Sequence, residues 1–591
     1  MRKFTIILLL LFLRCSRIAW ADSDKFNATS NITYKIDKTG LTTITANNKI
    51  VNLTSNYYAT EYSSTISNAQ VESVSAYDQA GSLPTTLTNS GEMDQTIKVK
   101  FIRPVVGKDM VLNWSLVTTS QKIAVKVGRV WEITLPKIDK DQPITSETVR
   151  LKVPEEFGQA LVFKPPPQKQ DKNGYLWDVA DLSKNGMAAI FGGYQLYDFT
   201  IKYQIENPQV LFADFPIALV PTTNSQSVLL DSLDPPPKKS YVDPDGNWLA
   251  SYRLGPKQSL EITAKGKIRV DLSTLEPQAT ASAEKSYLGA DKFWETDNPE
   301  IIKKAQELKT PQEIFRFVVS KLTYDKKRIS LNLPRIGAKE ALNKPESALC
   351  VEFTDLFIAI ARAAGIPSRE VNGYAYTYDE KQKPVSLNRD SLHAWPEYFD
   401  REKGGWFMVD PTWENTTGGL DFFQKLDLNH IVFVRHGLDS QHPLAAGLYK
   451  NTGLEKNVSV NISSSTASAD FKSRFDQLSF LPPRWDNGTV TIVVKNVGQT
   501  VVKGSPLLDN LVPFGETKIQ ANIKDIPGVW WKTAIIKVPV LDGVYEGKIT
   551  IPPFWISVPY PQLGAMGCFI ALAIWAIATK KWRISLPRQR S

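Results

Sequence analysis

The chain has 591 residues, 42% hydrophobic and 22% charged, a composition typical of globular protein that excludes large-scale disorder, collagen-like repeats and sustained coiled coils. That length exceeds what one hydrophobic core usually supports, so roughly three or four domains are expected. The formal charge of +9 comes from 70 basic and 61 acidic residues, with part of the excess at the two ends, and no basic run is interleaved with aromatics, so no nucleic-acid partner is expected.

The N-terminus reads Met1-Arg2-Lys3, then the apolar run Phe4 to Leu13, then Ala19-Trp20-Ala21. A basic start, an apolar middle and a small-x-small site predict a secretion signal over 1–21, cleaved after Ala21. Arg14 and Arg17 behind the apolar run leave an uncleaved anchor as the alternative. Near the other end, Leu563 to Thr579 carries no charge and is followed by Lys580, Lys581 and Arg583. This predicts a single transmembrane helix over 562–579 with a basic cytoplasmic tail over 580–591, which places Asp22 to Pro561 outside the plasma membrane.

Cysteine usage narrows the possibilities. Cys15 falls in the expected signal and Cys568 in the expected membrane segment, so Cys350 is alone in the exported part and has no disulfide partner there. A single retained thiol is either a reactive group or an inert core side chain.

From 22 to 280 many short β-rich runs, such as Ile97 to Ile102, Ile123 to Ile133 and Tyr197 to Ile205, alternate with Pro, Gly and Asn clusters. An all-β sandwich region of one or two domains is predicted. Helical spacing begins near Asn298 with Ile301, Ala305 and Leu308, and Pro311 opens a second helix through Ile314, Phe317, Val318 and Leu322. A mixed α/β domain is assigned to 281–448. The polar stretch Asn457 to Ser468 predicts a linker over 449–472. Strands resume over 473–558, where one immunoglobulin-like β-sandwich is expected. Asn27, Asn31, Asn52, Asn113, Asn415, Asn457, Asn461 and Asn487 stand in N-x-[ST] sequons, which matter only in a host that glycosylates them.

Within the α/β region, Cys350, Phe353, Phe357, Ile360, Ala361 and Ala364 fall at helical spacing, and Gly365 with Pro367 ends the run. With Ser347 as the N-cap, Cys350 lies in the first turn, where unpaired backbone N–H groups and the helix dipole favour a thiolate. His393 in SLHAWPEYFD and Asp410 in GGWFMVDPTW sit on two strand-like runs joined by the turn-rich Asp400 to Gly405. A turn centred between Glu402 and Lys403 puts Asp410 opposite Trp395 and diagonal to His393. An imidazole whose far nitrogen is held by a carboxylate keeps the tautomer that can accept a thiol proton. His430, His436 and His442 lie six apart without a companion cysteine, which is no zinc pattern, and no phosphate-cradling loop is present, so neither metal nor cofactor is expected.

Cysteine at a helix start, then His393-Ala394-Trp395, then Gly405-Trp406 with Asp410-Pro411-Thr412, strongly resembles the transglutaminase-like superfamily. Leu322 to Asp325, Glu340 to Leu342, Arg362 to Pro367 and Asn372 to Tyr374 add to the likeness. The resemblance implies a papain-like α/β fold in which Cys350 is the nucleophile, His393 the base and Asp410 its orienter. Ala348 stands where the family commonly has Gly, and Val351 and Glu352 stand where Asp or Tyr often follows. The Cys350 N–H is one oxyanion donor; no second donor can be named. Trp395 and Trp406 either line the acyl site or fill the core. The resemblance further implies protein or peptide substrates at the cell surface, attacked at an amide to give a thioester that water or an amine resolves. Proteolysis and transamidation stay open, and an inactive surface adhesion or scaffold protein is the reading from another class.

Overall fold

A computed structural model of the chain describes residues 25–551, apart from short internal stretches that include 137–143, 273–285, 378–382, 386–391 and 523–531. The expected signal and the expected membrane segment lie outside the described residues, among which no helix is long and apolar enough to cross a membrane.

The chain is a strand-rich multidomain protein. Phe26–Ile36 pairs in parallel with Ile144–Lys152 and antiparallel with Thr42–Asn52, so Tyr34 stands beside Leu151 on one side and Ile44 on the other. These strands belong to an eight-stranded sheet. Its buried residues Tyr34, Val149, Leu151 and Trp177 share a core with Ile133, Leu135, Met187 and Phe191 of a four-stranded sheet. Every second side chain is inward because successive residues of a strand face opposite sides.

The next strand, Gln195–Glu206, shows this alternation, with Tyr197, Phe199, Ile201, Tyr203 and Ile205 buried and Asp198, Thr200, Lys202 and Gln204 between them half-exposed. One edge pairs with Ser259–Val270, Tyr203 opposite Ile262. The other edge pairs with Val458–Ile462, Phe199 opposite Val460. The polar stretch read as linker therefore contains a strand. Val458 and Val460 supply two buried positions at period two, and the Ser and Asn residues between them hid that period in the sequence.

The α/β region opens as expected. Asn298 caps Pro299–Glu307 through its side chain, and Thr310 with Glu313 forms a reciprocal capping box ahead of Pro311–Lys321. The helix Cys350–Ala363 is buried along nearly its whole length and packs against the strands Ser368–Ala375 and Leu392–Asp400. Those strands are central in an antiparallel sheet ordered Gly405–Met408, Leu392–Asp400, Ser368–Ala375, His430–His436.

The outer strand of this sheet is fastened to the β region. Gln226 acts as a strand residue in miniature: its amide donates to the Val432 carbonyl and accepts from the Val432 N–H, both at 2.9 Å. The Tyr197 hydroxyl donates to the Leu428 carbonyl at 3.0 Å. One buried cluster runs from Tyr197, Phe199 and Trp248 through Leu392, Ile431 and Phe433 to Val501 and Val512, so the regions share a core. At the C-terminal end Thr489–Asn496 pairs with Glu516–Asn522, and Lys532–Val540 forms a hairpin with Gly543–Ile551. Sequon asparagines are engaged within the fold. The Asn52 amide donates to the Tyr57 and Val105 carbonyls, and the Asn415 amide to those of Val319 and Leu322.

Candidate active site

Cys350 is the first residue of its helix, but the cap is not Ser347. Leu349 occupies the N-cap position, and its N–H donates to the carboxylate of Glu352 at 2.8 Å. Leucine has no side-chain acceptor, so only this half of a capping box exists. Glu352 is fully buried, pairs with Arg328 at 3.1 Å and also accepts the Ile336 N–H at 3.1 Å. The acidic residue that departs from the family pattern thus anchors the start of the cysteine helix. No acceptor for the Cys350 backbone N–H occurs among the described residues, as expected for a first-turn donor.

The hairpin has the expected register, with Asp400 opposite Gly405 and Glu397 opposite Met408. Pairing ends with the Val409 N–H donating to the Pro396 carbonyl at 3.0 Å, and the chain then turns so that Asp410 caps the helix Pro411–Thr416. Asp410 Oδ1 accepts the N–H groups of Thr412 at 2.9 Å and Trp413 at 3.0 Å. This frees Oδ2 to accept from His393 Nε2 at 2.9 Å.

Cys350, His393 and Asp410 are all fully buried. His393 Nδ1 has no hydrogen-bond partner among the described residues, yet the Cys350 thiol is close enough to act on the imidazole electrostatically. Burial alone would push the His393 pKa down. The charge and hydrogen bond of Asp410 outweigh it, Cys350 adds to them, and the value rises to about 9. Asp410 is held well below the carboxylate range: burial pushes it up, and His393, then His430, pull it down further.

The two tryptophans part ways. Trp395 is fully buried, with its ring 4.9 Å from that of His430 in an edge arrangement, and its Nε1 has no hydrogen-bond partner among the described residues. Trp406 packs on Tyr287, Phe399 and the Arg369 guanidinium instead of on any of the three site residues.

Three groups escaped the sequence reading. His430 Nε2 lies 3.1 Å from Asp410 Oδ2, and its Nδ1 lies 2.8 Å from Asp427 Oδ1. Lys383 Nζ reaches the other Asp427 oxygen at 3.3 Å. Lys164, at the end of a strand of the N-terminal β region, places its ammonium 4.0 Å over the Phe422 ring, buried and without a hydrogen-bond partner among the described residues. Burial brings its pKa down to about 8 against the pull of Asp427 and Asp421. Tyr324 pairs with Ala348 and packs beside Leu349, Cys350 and Val351; its buried hydroxyl also has no hydrogen-bond partner among the described residues. An aspartate three residues before a histidine was the only local trace of the second His–Asp pair.

His393, Asp410 and His430 offer ligand atoms within 4.8 Å of one another. Here both Nε2 atoms stand at hydrogen-bond distance from a single carboxylate oxygen, so the set has the chemistry of a proton-bearing chain. His436 and His442 stand apart, engaged with the Pro443 carbonyl and with Asp439.

Residues 298–411, which include all three expected site residues, match the family model of the transglutaminase-like superfamily. Over 125 residues the chain is 29% identical to a protein-glutamine gamma-glutamyltransferase of Pseudomonas aeruginosa, covering 20% of this chain and 19% of that one. The chain thus spans about a fifth of the length of the curated relative it matches. Among solved structures, a candidate cysteine protease of Cytophaga hutchinsonii aligns with a TM-score of 0.33 at 16% identity, over 48% of this chain and 95% of that one. The periplasmic domain of TgpA from Pseudomonas aeruginosa aligns with a TM-score of 0.21 at 17% identity, over 39% and 92%.

Proposed function

We propose that this chain, whose residues 298–411 form a transglutaminase-like domain, is a thiol enzyme that transfers acyl groups from protein or peptide amides through a Cys350–His393–Asp410 triad. One observation carries the reading. His393 is fully buried, bonded at 2.9 Å to a helix-capping Asp410 with its Nδ1 left open, and the first-turn Cys350 is near enough to act on the imidazole.

In the proposed cycle His393, an imidazolium below its folded pKa of about 9, holds at Nδ1 the proton that Cys350 gives up, and the thiolate sulfur attacks the carbonyl carbon of the substrate amide. The developing oxyanion is met by the Cys350 N–H and by the Tyr324 hydroxyl, the unpartnered donor packed beside the cysteine. Burial and then the charge of Cys350 keep that hydroxyl protonated, as a donor requires. Collapse breaks the C–N bond, the imidazolium protonates the leaving amine, and a thioester remains. Water or a second amine then attacks, losing its proton to His393, and the thiol is restored. Asp410 stays ionised throughout and stabilises the imidazolium.

The proposed setting is the outer face of a membrane, with the chain exported by its N-terminal signal and tethered through Leu563 to Thr579. The same reading assigns the N-terminal strands to one or two β-sandwiches and the strands of 473–558 to an immunoglobulin-like module.

The test supplies a glutamine-containing peptide panel together with a fluorescent primary amine. Coupled peptide identifies a transamidase, and ammonia or cleaved peptide without coupling identifies a hydrolase. Both products are expected to vanish in Cys350→Ala. Absence of every product from the parent protein would overturn the catalytic reading.

A further inference from the structure

Asp410 has more partners than a triad needs. A carboxylate offers about four acceptor positions. Two of those on Asp410 take the Thr412 and Trp413 N–H groups, one takes His393 Nε2, and the last takes His430 Nε2 at 3.1 Å. An ionised carboxylate only accepts, so His430 Nε2 must carry a hydrogen. At the other ring nitrogen, Nδ1 faces Asp427 Oδ1 at 2.8 Å, and that oxygen also accepts the Asn429 N–H at 2.9 Å. Nδ1 must carry a hydrogen as well. A histidine that donates from both nitrogens is an imidazolium.

We propose that His430, held as an imidazolium between Asp410 and Asp427, is a positioning residue that fixes the Asp410 carboxylate and limits how much of its charge falls on His393. The proposal rests on the reading of Cys350, His393 and Asp410 as the reacting groups. The His430 side chain is buried, walled by the rings of Trp395 at 4.9 Å, Trp413 at 4.6 Å and Phe422 at 6.3 Å. The ionisable groups around it are His393 and Asp410 from the hairpin and its cap, and Asp427 from the loop before its own strand. Beyond them lie Lys383, Lys164, Asp421 and Glu414, all grouped around Asp427 and Phe422. Signs alternate from Asp410 through His430 and Asp427 to Lys383, so each buried charge has an opposite neighbour. His430 also takes a raised pKa: burial opposes it, and Asp427 followed by Asp410 outweighs burial.

Removing the His430 charge leaves Asp410 shared with no other cation and also removes a direct repulsion on protonated His393. Both effects raise the His393 titration midpoint. Mere loosening of Asp410 would lower it, so the direction of the shift separates a positioning role from a structural one.

The chain has four histidines, which makes a nitrogen-15 histidine NMR titration of the full-length protein assignable by single substitution. At pH 7 both His430 nitrogens should resonate as imidazolium. In His430→Gln the His393 midpoint should move up by about half a unit or more, a shift of the size expected from one nearby buried charge, and the alkaline limb of kcat should follow it. If His430→Gln does not fold, Asp427→Asn keeps the ring in place and should drop the His430 midpoint into the range between about pH 5 and 8. A neutral His430 in the parent at pH 7, or a His393 midpoint that stays or falls in His430→Gln, would overturn the proposal. The NMR result needs no turnover: a charged His430 in a chain without acyl transfer sinks the enzymatic reading alone, while a neutral His430 in an active enzyme sinks this one alone.

Discussion

The Trp395 indole occupies the space that a side chain on Gly373 would need. A Cβ at Gly373 would stand 2.8 Å from Trp395 Cη2 and 2.0 Å from the Ile431 carbonyl oxygen. Gly373 is opposite His393 in the central strand pair, and its neighbour on the other side is the strand that carries His430. The absent side chain lets the Trp395 ring pack against both histidines, 5.8 Å from His393 and 4.9 Å from His430.

Gly373→Ala should therefore destabilise the α/β region, because the nearest obstacle is backbone that cannot rotate away. Overpacking of this kind costs about 1–3 kcal/mol. The check is urea unfolding followed by tryptophan fluorescence. A midpoint within error of the parent would show that the sheet yields at this position.

Asp410→Asn keeps the oxygen that caps Pro411–Thr416 but replaces the acceptor for His393 Nε2 with a donor. The imidazole should switch tautomer and present a hydrogen to Cys350 where it must accept one. A comparable tautomer switch in a serine protease triad lowers kcat by about 10⁴. A loss of the same order is expected here, with the folded structure intact by circular dichroism. Activity within tenfold of the parent would remove Asp410 from the triad.

Tyr324→Phe removes one hydroxyl and leaves the ring packed beside Cys350. Loss of an oxyanion donor lowers kcat by about 10²–10³. KM and the rate of Cys350 alkylation by iodoacetamide should stay near parental values, because neither passes through the tetrahedral oxyanion. An unchanged kcat would leave the second donor to be sought elsewhere.

The pH dependence of stability should reflect His393. Its folded pKa of about 9 lies above its ordinary value of 6.5, so the extra proton contributes stability fully below pH 6.5 and loses it as pH rises through about 9. Asp410 and Asp427 act in the opposite sense. Held below the ordinary 3.8, they contribute stability above that pH and lose it as acid protonates them. Thermal unfolding of the parent and His393→Gln across pH should show a gap that is widest near neutrality or below and narrows through about pH 9. A gap independent of pH would mean that His393 is not charged in the folded protein.

Much of the site could be read from local sequence. The hairpin register follows from one turn and a period of two, and Cys350 at a helix start follows from helical spacing of apolar residues. Both are short-range patterns whose geometry is set by neighbouring backbone. Even the misplaced cap left Cys350 in the first turn, since a cap shifted by two residues still opens the same helix.

What the sequence determined by itself was that Cys350 starts a helix and that His393 and Asp410 belong to one hairpin, each with its own local signature; their grouping as a trio came from the resemblance to the transglutaminase-like superfamily. Tertiary structure alone decided the rest. It paired Val458–Ile462 with Gln195–Glu206, brought Lys164 to the ring of Phe422, and set His430 with Asp427 behind Asp410. These contacts join segments far apart in the chain, and buried charges find one another only when the core closes around them. No periodicity in the sequence encodes which distant carboxylate a histidine will meet.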